Sequence, residues 1–438
     1  MKRLLLALLF CLGSASAQTW STWNGVAVSP ATGNVSSMNG VTVGTIAGNY
    51  GSWNGLASPT SYPTYTDSFA RADGSLGSNW TEPSSAEGGL LISSDAVIVQ
   101  TPASTGHQFE IYSAGTFGVN QFTKFTIEGS AGTSPSYSLG YVRATATGAD
   151  YYNDAINSNS QQLGVHTSSG YADFYTSGQA PTYAVGDTHE LDVAGTGPTF
   201  FWMKRNGTII DGAVDNTYNF NTGIPGLGFI DQNAAPTLAA NNWEGGTLPA
   251  FSTTPTDDFQ RADDGWLGVN WWFSFYSGYA AGYVLTGNAA VQAAATSGAW
   301  DLACWTTPLT VNQSSKITIG GSGSGDWIGV FVRYDPTQGA SDNYYSVLIN
   351  NGEVFLYVRQ NGNFSQLSDL GPHTVSPGDT LELDATGTNP VVLTVKINGS
   401  QIGTTYNDTT YLIAGTYAGF QSYGSTSNKV TGWTGLDL

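Results

Sequence analysis

The chain has 438 residues, with 13 Lys and Arg against 32 Asp and Glu and a formal net charge of −19 at pH 7. A surface of that sign repels nucleic acid and other polyanions, and a hydrophobic share of 40% is too high for a disordered chain. Two cysteines, 56 glycines and 13% aromatic residues fit an extracellular β protein held by core burial rather than by disulfides.

Residues 1–17 read as a secretory signal: Lys2 and Arg3, an apolar run from Leu4 to Leu12, and the small residues Ala15, Ser16 and Ala17. Cleavage after Ala17 removes Cys11 and leaves Cys304 as the sole cysteine. The expected location is extracellular, with the cell surface or periplasm as alternatives. No later stretch is apolar for long enough to span a membrane as a helix.

Residues 18–65 carry a short repeat and a linker. Trp23-Asn24-Gly25-Val26, Met38-Asn39-Gly40-Val41 and Trp53-Asn54-Gly55-Leu56 recur every 15 residues, and Asn-Gly suits a two-residue hairpin turn. One unit is too small to bury a core, so stacking is expected, including self-association through residues 18–65. A flexible arm is the other reading. The repeats resemble WNGV-type segments found ahead of surface and fibre-like modules.

From Thr66 the sequence repeats on a larger scale. TDSFARADGSLGSNW at residues 66–80 returns as TDDFQRADDGWLGVNW at residues 256–271, with one residue inserted. VNQFTKFTIEG at Val119 matches VNQSSKITIGG at Val311. GDTHELDVAGTG at Gly186 matches GDTLELDATGTN at Gly378, and KRNG at Lys204 matches KING at Lys396. Two domains are expected, at residues 66–247 and 256–438, joined by residues 248–255. Within each, apolar and polar residues alternate over five to eight positions and Gly, Asn and Pro break the runs. The expected fold is all-β: two tandem antiparallel jelly-roll β-sandwiches behind the N-terminal repeat segment.

The opening D-x-F-x-R-A-D-G-x-L-G-x-N-W, the later G-D-x-L-x-L and the late Gly-rich strand around Ala418-Gly419-Phe420 resemble concanavalin A-like lectin/glucanase, or laminin-G-like, domains. The resemblance covers both halves and implies a two-sheet jelly roll with its first and last strands adjacent. That fold hosts lectins, hydrolases, lyases and adhesion modules alike, so it does not choose among them.

Four groups of residues are candidates for function. Asp67, Asp73, Asp257, Asp258, Asp263 and Asp264 supply the hard oxygens that calcium takes, and the resemblance implies a structural calcium; turn chemistry and pairing with Arg71 and Arg261 is the alternative. Glu190 with Asp192, and Glu382 with Asp384, sit two apart on strands and share a face. Related glucanases use E-x-D-x-x-E, but here Gly195 and Gly387 occupy the place of the third acid, and a lone pair does not complete the two-carboxylate mechanism. The histidines lack metal-ligand spacing. Trp272 and Tyr276, in a segment whose first-copy counterpart is not aromatic, alternate away from Trp271; with Trp266 they form the candidate platform for stacking on a sugar ring. Covering the junction between domains is the competing role. The reading carried forward is a secreted, non-catalytic protein that binds extracellular glycan. A polysaccharide hydrolase or lyase, and a structural subunit of a filament or fibre, are the alternatives.

Overall fold

The computed structural model describes residues 63–438, apart from 103, 131–135, 159, 177–181, 234–236, 275–281, 294–299 and 425, together with four short strand segments nearer the N-terminus. Residues Met1–Pro63 and Thr64–Leu438 form two compact units. In the first, Trp23 pairs with Val26 and Thr22 with Ala27, and Met38 with Val41 and Ser37 with Thr42. Both are the hairpins that the Asn-Gly dipeptides predict. The signal segment lies outside the described residues.

The second unit is all-β, with one 3-10 turn at Pro336–Ser341 and no α-helix among the described residues. It holds two sandwiches with matching strand orders. The front sheet of the first runs Thr208–Asp215, Thr199–Arg205, Thr188–Ala194, Gln121–Ile127, Ala240–Thr247, then Ala96–Val99 and Leu90–Ser93. Its counterpart runs Val391–Ile397, Thr380–Thr386, Gln313–Gly321, Lys429–Asp437, then Ala290–Gln292 and Tyr283–Leu285. The back sheets run from Gly170–Thr176 to Gln108–Ile111 and from Asn363–Pro372 to Trp300–Trp305. The latter gains one further strand, Trp271–Phe273. First and last strands are adjacent in both: Thr64–Asp67 pairs Ala240–Thr247, and Thr256–Asp257 pairs Lys429–Asp437.

Alternation produces the two layers. Gln121–Ile127 buries every second residue, as a strand with one face on a core must. Trp80 meets Trp243 edge-on at 4.8 Å, and Trp271 meets Trp433 at 4.9 Å. A buried arginine recurs too. Arg143 donates to the carbonyls of Val119, Gly195 and Phe220, and Arg333 to those of Gly387 and Ile413. Each ties loop carbonyls that no ladder satisfies, and neither stood out in the sequence.

The opening motif is an entry clamp in both copies. Asp67 Oδ1 accepts from the Phe69 N–H at 2.8 Å and from Arg71 at 2.6 Å, and Oδ2 accepts from Trp80 Nε1 at 2.9 Å. Asp257 repeats this with Phe259, Arg261 and Trp271 at 2.8, 2.6 and 2.8 Å. Phe69 and Phe259 sit at φ of 56° and 53°, a region bulky residues avoid; burial of both rings and the aspartate turn hold them there.

The sandwiches meet through a continuous apolar core. Phe200 and Trp202 alternate outward from the first front sheet while Phe201 and Met203 face its interior core. Phe200 packs on Phe251, Trp272 and Tyr417 at 5.8, 6.1 and 6.3 Å, and Trp202 on Trp266 at 5.9 Å. The Trp202 indole donates to the Trp271 carbonyl at 2.9 Å. A Cβ on Gly265 would stand 2.7 Å from the Gly207 carbonyl, so a glycine at this point of the second opening motif is what lets the two backbones approach.

Candidate functional site

Trp272 is fully buried. It does alternate away from Trp271, but its face of the sheet is closed by Phe200 of the first sandwich, so the open platform expected there is corrected to a junction anchor. Trp266 is half-buried in the same junction, with the Lys204 ammonium 3.8 Å above its ring. Tyr276 lies outside the described residues. A cleft of about 170 Å³ remains beside the junction, lined by the turn at 195–198, Phe200, Phe251 and Tyr417.

The acidic pairs have the geometry the alternation predicts, and a partner that it does not. Lys204, on the neighbouring strand, bridges Glu190 at 2.6 Å and Asp192 at 2.5 Å; Lys396 bridges Glu382 and Asp384 at 2.7 and 2.6 Å. Burial, with Glu190 close by, pushes the Asp192 carboxyl up to about 8 against the pull of Lys204, while Lys204 holds Glu190 low against its own burial. Asp384 is likewise raised by its burial. The lysine between each pair neutralises both carboxylates in this structure. The duplicated K-x-N-G carried this signal in the sequence.

The calcium candidates do not fit a hard cation. Asp67 and Asp257 each face an arginine and an indole N–H, Asp73 and Asp263 accept backbone N–H groups of Ser94 and Gly287, and Asp258 closes a turn on the Gln260 N–H. Asp264 contributes a backbone bridge to Leu285. No three His, Cys, Asp or Glu side chains converge as a metal site among the described residues.

What the sequence largely missed is the outer face of the second back sheet. Alternation sends Trp327 outward from Trp327–Tyr334, Phe355 and Tyr357 from Glu353–Gln360, and Tyr423 from Tyr417–Tyr423, while Ile328, Leu356 and Phe420 face the core. Trp300 and Phe364 join them from the two flanks, and all six rings are half-buried. Trp327 lies 5.6 Å from Phe355, 6.2 Å from Tyr357 and 6.5 Å from Trp300. Trp300 lies 5.0 Å from Phe364 and 5.2 Å from Tyr423. The rings come from five strands spread over more than a hundred residues, so no short stretch of sequence displays them together.

The first back sheet presents different chemistry at equivalent positions. His107 and Tyr171 face each other at 5.0 Å, His166 stacks on Tyr151 at 4.9 Å, and the Tyr141 hydroxyl lies 2.8 Å from His107 Nδ1. Burial, aided by repulsion from His166, lowers the His107 pKa to about 4. The folded first sandwich therefore holds a neutral imidazole that the unfolded chain protonates near 6.5. Stability contributed by this site is full above pH 6.5 and falls as pH drops towards 4, by about 3 kcal/mol over the window. Denaturant titrations at pH 7 and pH 4.5 check this: His107→Phe should flatten the difference, and an unchanged difference assigns it to other groups.

No family model matches the sequence, and no curated protein matches it. Among solved structures, the chain is similar to carbohydrate-binding module CBM66 from Bacillus subtilis, at 13% identity over 40% of this chain and 96% of that one, with a TM-score of 0.29. It is similar to the carbohydrate recognition domain of Emp46p in its potassium-bound form, at 8% identity over 43% of this chain and 98% of that one, TM-score 0.32. The exoplasmic/lumenal domain of VIP36, Ca2+/Man-bound, aligns at 12% identity over 40% of this chain and 85% of that one, TM-score 0.28.

Proposed function

We propose that the chain is a secreted, non-catalytic glycan-binding protein whose principal site is the aromatic face of the second back sheet. One observation supports this above the rest: Trp300, Trp327, Phe355, Tyr357, Phe364 and Tyr423 form one contiguous, half-buried patch. Contiguous apolar surface in water costs about 25 cal/mol per Å², and such patches mark binding sites. The apolar face of a pyranose ring covers an aromatic ring while its hydroxyls stay in solvent. Arg359, whose guanidinium lies 4.8 Å from the Phe364 ring, is held by Asp342 at 2.6 Å, so the patch favours a neutral ligand. The net charge disfavours anionic glycans in the same sense.

The test is calorimetric titration of the full chain with cellohexaose, laminarihexaose, xylohexaose and mannohexaose. At least one should bind, and Trp327→Ala should weaken it tenfold or more while the partly exposed position keeps the stability loss near 1 kcal/mol. Binding that survives Trp327→Ala and Tyr357→Ala together, or hydrolysis of any of the four, overturns the reading.

A further inference from the structure

Tyr171 lies across the outer face of the first back sheet. It stands on Gly170–Thr176, opposite His166, and Asp173 of the same strand stands opposite Gly164 of Gln161–Thr167. A Cβ on Gly164 would collide with the Tyr171 hydroxyl and ring edge, so the ring rests where that glycine leaves room. The side chain is nonetheless 41% exposed, so the surface turned away from the sheet is open to water. Its hydroxyl donates to Asp173 Oδ1 at 2.8 Å, and the His107 ring flanks it at 5.0 Å. These contacts fix an exposed aromatic ring before any ligand arrives, which removes the cost of ordering it on binding. In the second sandwich Tyr357 stands opposite Gln366 where Gly164 stands opposite Asp173. Phe364, opposite Arg359 as Tyr171 is opposite His166, packs edge-on against Tyr357 at 5.9 Å instead.

The fixed charges around the ring are acidic. Asp173 is exposed, and Tyr171 occupies only its Oδ1 among the described residues. Glu87, also exposed, lies over Gly106 beside His107. Of the six strands in this sheet only Tyr137–Ala144 carries a Lys or Arg, and that residue, Arg143, is fully buried on loop carbonyls. An open aromatic ring with a carboxylate at its edge attracts a cation twice, through the negative face of the ring and through the carboxylate. The net charge of −19 raises the local concentration of cations in the same sense. The second back sheet differs here too, because the Arg359 guanidinium already lies 4.8 Å from the Phe364 ring.

We propose that this face of the first sandwich is a second carbohydrate site, selective for a pyranose that carries an ammonium group. The apolar face of the sugar covers the open side of Tyr171, and the ammonium donates to Asp173 Oδ2. A neutral sugar gains the stacking alone and a flexible polycation gains the charge alone, so an amino sugar is the ligand that uses both. The site is separate from the aromatic patch of the second sandwich and does not depend on the neutral-glycan reading of that patch.

The test is calorimetric titration of the full chain, at about pH 6 where the amines are protonated, with the β-1,4-linked glucosamine hexamer, its fully N-acetylated form and hexalysine. The glucosamine hexamer should bind, and Tyr171→Ala should weaken its Kd tenfold or more. Asp173→Asn, an exposed change of the same shape, should weaken it at least fivefold. The N-acetylated hexamer, which lacks the charge, should show no difference between the wild type and either variant. Should Tyr171→Ala also lower the unfolding midpoint, Asp173→Asn decides alone. Binding of the glucosamine hexamer that stays within twofold of wild type in both variants assigns the contact to net charge and overturns the site. Hexalysine that binds as tightly and loses as much in Tyr171→Ala makes it a peptide contact and overturns the sugar assignment. No binding of the glucosamine hexamer by the wild type overturns the proposal outright. None of these outcomes involves Trp327, so the failure of this site and of the aromatic patch remain distinguishable.

Discussion

Trp202→Ala should destabilise the Thr64–Leu438 unit by about 3–5 kcal/mol, the cost of emptying a large buried site. Trp202 has no exposed surface, its indole nitrogen donates to the Trp271 carbonyl at 2.9 Å, and Trp266 packs on it at 5.9 Å. The cavity opens between the sandwiches, so the substitution also loosens the seat of Trp272 and Phe200. Denaturant unfolding followed by tryptophan fluorescence and by far-UV circular dichroism measures both effects. The wild type should show one coincident transition, and Trp202→Ala a lower midpoint with the two signals separated. A loss under 1 kcal/mol would mean that the junction contributes little to folding. Expressing either sandwich alone strips the cover from Phe200 and Trp202, or from Trp272, and should give a poorly soluble product.

Lys204→Met should cost about 3–5 kcal/mol at pH 8.5, whereas Lys396→Met should cost about 1 kcal/mol or less. The two lysines hold the same pair of carboxylates at nearly the same distances, so burial alone separates them. The Lys204 side chain is 5% exposed and Asp192 not at all; Lys396 is 27% exposed and Asp384 13%. Methionine keeps the stem against Trp266 and deletes the charge, which leaves two carboxylates in a dry site. Without Lys204, Asp192, already raised by its burial, rises further and Glu190 is no longer held low, so the variant takes up protons that the wild type does not and the penalty should shrink as pH falls from 8.5 to 6. The checks are urea midpoints for both variants at pH 6 and 8.5. Equal losses at the two lysines, or a Lys204→Met penalty that grows at low pH, would show that charge burial is not the cause.

The contrast between Lys204 and Lys396 also marks what was legible in the sequence. Alternation and the duplicated motifs predicted the sheets, the shared face of each Glu–Asp pair and the pairing of Asp67 with Arg71. They also predicted the direction of Trp272. They did not say what lies beyond that face, because alternation describes a strand within its own sheet and is silent about a second sandwich. The signal existed as a difference between copies. Phe200, Trp202 and Ile209 stand where Val392, Thr394 and Gln401 stand in strands that otherwise match, and Trp266 replaces Ser75 beside the inserted residue. Aromatic residues appearing on an outward face in only one copy were the junction. The patch of Trp327, Phe355, Tyr357 and Tyr423 was harder to find, since no short stretch contains it and only the sheet order assembles it.

The junction joins unlike surfaces: the outer front face of one sandwich receives the flank of the next. A contact of that kind has no inherent end, and repeated it would build an open-ended column. The second sandwich presents the same outer front face with Val392, Thr394 and Gln401 in place of the large apolar residues, around a Glu382–Lys396–Asp384 cluster that stays partly hydrated. At the leading flank of the first sandwich, Ser75 stands where a docking tryptophan would be required. Val392, Thr394, Gln401 and Ser75 therefore leave both ends of the pair without the large apolar residues on which the junction is built.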